Sequence, residues 1–372
     1  MKKMLCLLTA IMCLFCMSVN LPASADCDAA IPGGALGLKV LSEIDDGTGI
    51  ALVSPQSLYL ALGMAAQGAR GDTLDLLKAS LNVNGFDADK AKAELAAMQS
   101  VGLSVANAYF KAGDISLEPE YEAVLKDAYS AQGFAIDDDI VSRVNDWAAE
   151  NTDGMIREVL TRKPDDDTKL ILTNALLMDA KWQRKFESYA TVERTFHGAS
   201  GDTQVDMMFR RGDMLYGETN SAQVVYLPYE AEGLGMYVIL PGEQGAAALL
   251  ADVALRLPRV NAASGGSLKE ALKAAGLGGA MELGADFSGM TDDYDLFIGN
   301  VIQNCALEVG EEGTRAAAVT AVAMDAGSAY QEAQPKSMTV DRPYIMLITL
   351  SGEGGASDVQ EILFAAVVND IA

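Results

Sequence analysis

The 372-residue sequence predicts an α+β fold built on large antiparallel or mixed sheets. Apolar residues at helical spacing dominate the first part of the chain, up to residue 160. Alternating or continuous apolar runs, which are typical of strands, become frequent from residue 169 onward. Because helices and strands are mixed rather than alternating one for one, a doubly wound parallel sheet is not expected.

Six segments carry the helical pattern. The first follows Ser54 and Pro55, a pair that suits a helix start, and it places Leu58, Leu62 and Ala65 on one side. The predicted helices cover residues 57–69, 73–81, 88–98, 118–130, 140–160 and 268–276.

Strand patterns occur in seven places. Residues 169–178 (KLILTNALLM) carry an apolar run, with only Thr173 and Asn174 polar after Lys169, and predict a buried strand. Residues 223–227 and 235–240 predict a hairpin, because Pro241 and Gly242 end the second run. The remaining predicted strands cover residues 101–110, 301–309, 341–348 and 362–368.

Residues 311–323 (EEGTRAAAVTAVA) form a run of small side chains that has two properties at once. With period two, one face is neutral and the other carries both charges, so the run could enter a sheet as a strand. The neutral face holds Thr314, Ala316, Ala318, Thr320, Val322 and Met324, and the opposite face holds Arg315, Ala317, Val319, Ala321, Ala323 and Asp325. Yet Gly313 before it and Gly327, Ser328 and Pro335 after it are loop signals. An alanine-rich helix or a plain surface strand is the alternative, since alanine is also the best helix former.

The amino terminus has the pattern of an export signal. Lys2 and Lys3 precede an apolar run over residues 4–19, and Ala23-Ser24-Ala25 offers a small-x-small cleavage site. We therefore expect a signal peptide at residues 1–25 and a secreted or periplasmic protein; an uncleaved anchor is the weaker alternative, because the run is short for a membrane span. Residues 26–372 lack a Pro/Ser linker or a charge block, which favours one domain.

Charge excludes several classes of partner. Removing Lys2 and Lys3 with the leader leaves 25 basic against 52 acidic side chains, a net charge of −27. An excess of this size repels phosphate backbones and acidic polysaccharides, so no nucleic acid, membrane or heparin-type cofactor is expected. Two Asp triplets, at residues 137–139 and 165–167, lack calcium-loop spacing and predict solvated turns.

No enzyme motif is evident, so neither catalysis nor a metal or cofactor site is expected. His197 is the single histidine, and we expect it on the surface or in a hairpin. A Cys305–His197 thiol hydrolase is a formal alternative. Outside the leader only Cys27 and Cys305 remain, and whether they form a disulfide stays open.

Several segments, in their order, resemble the serpin family. Residues 309–314 (VGEEGT) with the alanine-rich run resemble the hinge of the serpin reactive loop, and residues 341–344 (DRPY) resemble the strand that follows it. Further similar segments are residues 53–58 (VSPQSL), 104–110 (SVANAYF), 206–209 (DMMF) and 285–290 (ADFSGM). The resemblance extends over about residues 29–372, and it departs from the family where residues 240–257 are short, where Gln303 replaces a usual histidine and where Arg315 replaces a common acid.

The resemblance implies a serpin fold with about seven to nine helices, a central mixed sheet and an exposed reactive loop at about residues 311–335. It implies a monomeric suicide inhibitor of serine proteases, whose cleaved loop inserts into the sheet. The implied hinge comprises Glu311, Glu312, Gly313, Thr314, Arg315, Ala316, Ala317, Ala318, Val319 and Thr320. Ser54, Ser57, Asn174 and Gln303 correspond to the place where the sheet parts, and Trp182 to the place where the loop first enters.

Counting from the hinge as in the family places the scissile bond near Gly327–Ser328, within about three residues. No Lys or Arg lies between Arg315 and Lys336, so trypsin-like proteases, which need a basic residue there, are poor targets. Small residues suit elastase-like or subtilisin-like enzymes, and Tyr330 would suit a chymotrypsin-like one. A non-inhibitory binding or chaperone-like serpin and an inhibitor of cysteine proteases are the alternatives.

Overall fold

Two sheets and seven α-helices make up the part of the chain that the computed structural model describes. The described residues are 31–164, 168–219, 222–242, 248–293, 295–314, 335–352 and 355–372. The predicted signal peptide, Cys27 and residues 315–334 of the predicted reactive loop therefore lie outside them. Among the described residues, no helix is both long and apolar enough to cross a membrane.

The helices cluster in the first part of the chain, as the periodicity predicts. They are α1 Gly34–Ile44, α2 Pro55–Gly68, α3 Gly71–Leu81, α4 Ala88–Ser100, α5 Pro119–Tyr129, α6 Ile140–Asn151 and the single turn α7 Lys269–Leu272. The Ser54 side chain caps α2, since its Oγ accepts a hydrogen bond from the Ser57 amide at 3.0 Å.

The strands are β1 Ile50–Val53, β2 Leu103–Ala112, β3 Ala131–Ile136, β4 Leu170–Met178, β5 Ala180–Lys181, β6 Val192–His197, β7 Asp202–Thr219 and β8 Ala222–Pro228. They continue with β9 Leu234–Pro241, β10 Ala248–Pro258, β11 Val260–Ser267, β12 Asn300–Val309, β13 Gly313–Thr314, β14 Lys336–Thr339, β15 Tyr344–Ser351 and β16 Val359–Val368. The predicted hairpin is confirmed, because β8 and β9 pair antiparallel.

The seven-stranded central sheet positions the candidate site. Its order is β3-β2-β4-β12-β13-β5, and β11 also pairs with β12. β4 and β12 lie side by side in parallel, from Ile171 opposite Asn300 to Leu177 opposite Ala306. Beyond that point β13 lies between the end of β12 and β5, which continues the line of β4.

The nine-stranded second sheet has the order β1-β16-β15-β9-β8-β7-β10-β14, with β6 also on β7. All of its pairs are antiparallel except β10 with β14. With the parallel β4–β12 pair in the other sheet, the fold is α+β with mixed sheets, as expected.

Apolar layers cover the central sheet on both faces. Leu172 and Leu176 of β4 belong to the main core, which includes α2. Ile171, Ala175 and Leu177 point to the opposite face and pack in a second core with Val144 and Trp147 of α6. Because side chains alternate along a strand, burial of both faces explains why β4 is apolar on both faces, with only Thr173 and Asn174 polar.

Two predicted helices are wrong in extent. Helix 140–160 ends at Asn151, and Asp153 and Gly154 take positive φ values of 53° and 75°. Apolar residues continue at helical spacing to Leu160 because the following loop packs on the same core. That loop is held by side chains instead of helical hydrogen bonds: Asn145 Oδ1 accepts from the Val159 and Leu160 amides at 2.8 and 2.9 Å.

The predicted helix at 268–276 consists of α7 and one π-turn, Lys273–Leu277, which contains Gly276 at φ 111°. The strand predicted at 341–348 begins only at Tyr344. In the short region between residues 240 and 257, the described residues from 248 form β10.

Candidate functional site

The segment before the alanine-rich run already lies inside the central sheet. Gly313 and Thr314 form β13, in which Thr314 pairs with Val309 on one side and Ala180 on the other, both antiparallel. Thr314 has no exposed surface. The chain therefore enters the sheet before residue 315.

Gly313 fits this position because it has no side chain. A β-carbon placed there would lie 2.1 Å from the carbonyl oxygen of Ala180 and 2.7 Å from the Lys181 Cα. Both neighbours are backbone atoms of β5, which cannot move aside without breaking the pairing. Any larger residue would therefore push residues 311–314, the described part of the predicted hinge and called the hinge below, out of the sheet.

An aromatic cluster of Trp182, Phe186 and Tyr229 supports the hinge. The Tyr229 and Thr314 hydroxyls share a hydrogen bond of 2.6 Å, and the Tyr229 ring stacks on Trp182 with centroids 4.3 Å apart. Trp182 Nε1 donates to the Gly310 carbonyl at 2.8 Å. Burial raises the pKa of Tyr229 far above its usual range, so its hydroxyl stays protonated.

The backbone of the turn after β5 also binds the hinge. The Trp182 amide donates to the Glu312 carbonyl and the Phe186 amide donates to the Glu311 carbonyl, each at 2.9 Å. These two bonds fix the main chain just before Gly313. The hinge is thus held by backbone as well as by side-chain contacts.

Glu311 and Glu312 complete the hinge with ionic contacts. Arg259 lies between two carboxylates, 2.7 Å from Glu311 and 2.6 Å from Asp206. Thr191 Oγ1 donates to Glu311 at 2.6 Å, and Lys185 lies 3.5 Å from Glu312. Burial would raise the pKa of Glu311, but the hydrogen bonds from Arg259 and Thr191 outweigh it and hold the pKa below its usual range.

A second polar group lies in the middle of the sheet, where β4, β2 and α2 meet. Ser57 Oγ donates to Asn174 Oδ1, Asn174 Nδ2 donates to Asn107 Oδ1 at 2.7 Å, and Asn107 Nδ2 donates to the Tyr129 carbonyl at 2.7 Å. This relay of hydroxyl and amide groups connects α2 through β4 and β2 to the end of α5. All four residues are buried.

Gln303 connects β12 to the start of α2. Its Oε1 accepts from the Ser54 amide at 2.9 Å, and its Nε2 donates to the Ser54 carbonyl at 2.8 Å. One side-chain amide thus satisfies both backbone groups of Ser54. Because β12 and β4 are neighbours, Gln303 and the relay tie both strands to α2 without a charged group.

Of the predicted site residues, Ser54, Ser57, Asn174 and Gln303 come together in the middle of the sheet. Five others come together at the end of the sheet: Trp182, Glu311, Glu312, Gly313 and Thr314. The other predicted site residues lie outside the described residues, so the scissile bond stays a prediction. They are Arg315, Ala316, Ala317, Ala318, Val319, Thr320, Gly327 and Ser328.

The residues at these sites that the sequence did not single out as site residues include Asn107, Thr191, Tyr229 and Arg259. An asparagine inside the apolar strand 103–112 was a usable signal, since a buried amide needs a partner. Arg259 gave no signal, because its two carboxylate partners are 53 and 52 residues away in the sequence.

The Cys305–His197 pair is not formed. Cys305 is fully buried, and burial raises the pKa of its thiol well above the usual range. His197 ends β6 in the other sheet, is exposed, and its Nδ1 lies 2.8 Å from Asp202 Oδ1. The histidine is a hairpin surface residue, as expected.

Comparison with known proteins gives a consistent result. A family model described as serpin (serine protease inhibitor) matches residues 34–370. A serpin-like protein of Thermococcus kodakarensis is 30% identical over 79% of this chain and 76% of its own length. The leukocyte elastase inhibitor of Bos taurus is 30% identical over 81% of this chain and 89% of its own.

Solved structures agree with the sequence relatives. Serpin48 of the insect Tenebrio molitor superposes with a TM-score of 0.76 at 27% identity, over 90% of this chain and 95% of that one. The thermophilic serpin tengpin in its native state gives a TM-score of 0.76 at 25% identity, over 90% and 92%.

Proposed function

The chain belongs to the serpin family of serine protease inhibitors, and we propose that it inhibits by letting a protease cleave its reactive loop and then inserting that loop into the central sheet. The observation that carries the proposal is β13. The two residues before the alanine-rich run are already paired inside the sheet, at the end of the β4–β12 pair. Insertion would lengthen β13, which is already paired in the sheet.

Strand direction supports this mechanism. β4 and β12 are parallel neighbours, and β13 runs antiparallel to β12 and to β5. A strand continuing from Thr314 between β4 and β12 would be antiparallel to both. Each new ladder hydrogen bond would contribute about 1 kcal/mol, and each would form only after cleavage releases the loop.

Loop length sets how far a bound protease would travel. From Gly313 to the predicted scissile bond is about 14 residues, which as a strand at ~3.3 Å per residue would carry an acylated protease on the order of 45 Å. The displaced protease would be distorted before it could hydrolyse the acyl bond. Small neutral residues on the inward face, beginning with Thr314, suit this step because a buried unpaired charge costs several kcal/mol.

Sequence composition of the loop points to the target class. Gly327 and its neighbours Ala326 and Ala329 favour elastase-like or subtilisin-like proteases over trypsin-like ones. One relative is named leukocyte elastase inhibitor. The predicted export signal at residues 1–25 supports an encounter outside the cytoplasm, in the secreted or periplasmic compartment.

The test incubates residues 26–372 with elastase-like, subtilisin-like, chymotrypsin-like and trypsin-like serine proteases and with a papain-like cysteine protease. A complex that survives a denaturing gel supports trapping, and mass spectrometry of the released carboxyl-terminal peptide identifies the scissile bond. A complex with the cysteine protease alone would move the target to that class. Cleavage by every protease without any complex would contradict the proposal and favour a non-inhibitory serpin.

A further inference from the structure

Two arginines beside the hinge, Arg184 and Arg210, have no acidic partner in the part of the chain that the structure describes. Arg184 is exposed in the turn after β5, and Arg210 lies on β7. The Arg210 guanidinium stacks over Phe186, 5.0 Å from the ring centroid, and its Nη1 donates to the Arg184 carbonyl. Its Nε is buried and has no hydrogen-bond partner.

The two guanidinium groups lie on the same side of β7. Arg184 Nη1 is 3.1 Å from the point where a β-carbon of Gly212 would stand. Gly212 is two residues after Arg210, so both face the same way along the strand. Burial, and then the charge of Arg184, lower the pKa of Arg210 to about 10.

Three nearby cations, Lys185, Arg211 and Arg259, differ from this pair because each has a carboxylate. Arg211, on the opposite face of β7, binds Asp252 at 2.6 Å. Lys185 lies near Glu312, and Arg259 binds Glu311 and Asp206. In a chain with 52 acidic and 27 basic side chains, two adjacent arginines without an acid are unexpected.

We propose that Arg184 and Arg210 form a binding site for a small oxyanion of the phosphate or sulfate type. The exposed fork of Arg184 and the half-buried guanidinium of Arg210 are donors that an anion with two acceptor oxygens can bridge. Bound there, the anion would offset the repulsion between the two cations. A carboxylate shares this geometry, so the experiment includes one.

The site is coupled to the hinge through the turn that carries Arg184. The Trp182 and Phe186 amides on either side of Arg184 bind the Glu312 and Glu311 carbonyls. Phe186 is also the ring on which Arg210 stacks. An anion that fixes this turn would stabilise the hinge in its present position; its effect on inhibition rests on the function proposed above.

The direct test measures thermal unfolding and calorimetric binding with inorganic phosphate on residues 26–372. Sodium sulfate, acetate and chloride at matched ionic strength are run in parallel. We expect phosphate and sulfate to raise the unfolding midpoint by about 1–3 °C more than chloride does. If acetate raises the unfolding midpoint as much as phosphate does, the site would be assigned to carboxylates.

Variants separate a site from a general salt effect. Arg184→Gln should abolish the difference between phosphate and chloride, whereas the matched control Arg211→Gln, which removes an equal charge from the opposite face, should keep it. An equal rise in chloride, or a phosphate effect that persists in Arg184→Gln, would overturn the site, since sulfate and phosphate also stabilise proteins by exclusion from the surface.

The coupling is read from the rate of complex formation with a protease that the protein traps. Phosphate should slow this rate about twofold to fivefold in the wild type and leave Arg184→Gln unchanged. An unchanged wild-type rate would overturn the coupling. If no protease is trapped, the proposed function fails, while the binding test on Arg184→Gln and Arg211→Gln still decides the site.

Discussion

The hinge end and the middle of the central sheet hold their strands together with different chemistry. At the hinge end, Glu311 and Glu312 are bound by exposed or half-buried cations, and the Thr314 hydroxyl is hydrogen-bonded to the Tyr229 hydroxyl. In the middle, Ser57, Asn174, Asn107 and Gln303 use only neutral amide and hydroxyl groups, all of them buried. We therefore expect the hinge end, and not the middle, to respond to pH and salt.

The two kinds of contact differ in the free energy that their loss costs. An exposed ion pair contributes about 0–1 kcal/mol and is screened by salt. A buried donor or acceptor that loses its partner costs about 1–3 kcal/mol. The ionic contacts of Glu311 and Glu312 can therefore be broken at small cost, whereas the buried Tyr229–Thr314 hydrogen bond and the middle of the sheet resist until new partners are supplied.

Replacing Thr314 by arginine should have the largest effect. The side chain lies between β12 and β5 with no exposed surface, so a charge there would be buried unpaired at a cost of several kcal/mol. Since each 1.4 kcal/mol is tenfold, the yield of trapped complex relative to cleaved inhibitor should fall by about tenfold or more.

Thr314→Ser is the matched control, because it keeps the hydroxyl that binds Tyr229. Its complex yield should remain close to that of the wild type. Full complex yield from Thr314→Arg would show that insertion does not pass through the β13 position.

Asn174→Ala should give the next largest effect, on stability. The change leaves Ser57 Oγ and Asn107 Oδ1 without a partner in a buried place. Two orphaned groups predict a loss of about 2–6 kcal/mol in the free energy of unfolding, measured in urea. Ser57→Ala removes one end of the relay and should cost less; equal losses in both variants would mean that the relay does not act as a chain.

Gln303→Glu should make the neutral middle of the sheet sensitive to pH. A carboxylate can accept from the Ser54 amide but cannot donate to its carbonyl, and burial raises its pKa. With a folded pKa above the unfolded value of about 4.3, the variant is least affected below pH 4 and loses stability as pH rises. A folded pKa that lies one pH unit above the unfolded value makes this loss about 1.4 kcal/mol.

The measurement is the variant's free energy of unfolding minus that of the wild type, from pH 4 to pH 8. The wild type must be subtracted, because burial raises the pKa of Glu361 to about 7 and that group titrates in the same range. Gln303→Asn keeps a neutral amide and should show a constant difference. A flat difference for Gln303→Glu would mean that the site admits water.

Local patterns in the sequence predicted elements that carry their own signal. Helix α2 has a capping serine, a proline and helical spacing, and β4 is apolar at seven of its nine positions. By contrast, β11 (VNAASGGS) is rich in small residues with low strand propensity. It is a strand because all eight of its residues pair with β12, and that partner lies far away in the sequence.

The same distinction applies to the site. Ser54, Ser57, Asn174, Gln303 and Trp182 followed from resemblance, which carries tertiary information that composition lacks. Arg184 and Arg210 could not be paired from the sequence, because only folding brings the turn after β5 against β7. Helix α6 ends early for a related reason: the apolar pattern continues through residue 160, but Asn145 binds the loop amides.

Acid should weaken the hinge, and this is the smallest effect expected. Hydrogen bonds from Arg259 and Thr191 hold the pKa of Glu311 below its usual 4.5 despite the opposing effect of burial. A depressed folded pKa adds stability above pH 4.5 that is lost as pH falls through the folded pKa. Because Arg259 is exposed and solvent screens the ion pair, the contribution is below about 1 kcal/mol. Hydrogen exchange at the Trp182 and Phe186 amides, which bind the hinge carbonyls, should therefore accelerate between about pH 5 and pH 3 after correction for intrinsic rates.

Arg259→Gln tests whether the ion pair causes that acid response. Without the guanidinium the pKa of Glu311 returns toward its ordinary value, so the variant should show faster exchange at pH 6 and a smaller change on acidification. Arg194→Gln, on exposed β6, removes the same charge away from these contacts and should behave as the wild type. If Arg259→Gln kept the full acid response, the hinge would be held by Tyr229, Trp182 and the backbone alone. The hinge end and the middle of the sheet would then differ in burial only and not in their response to pH.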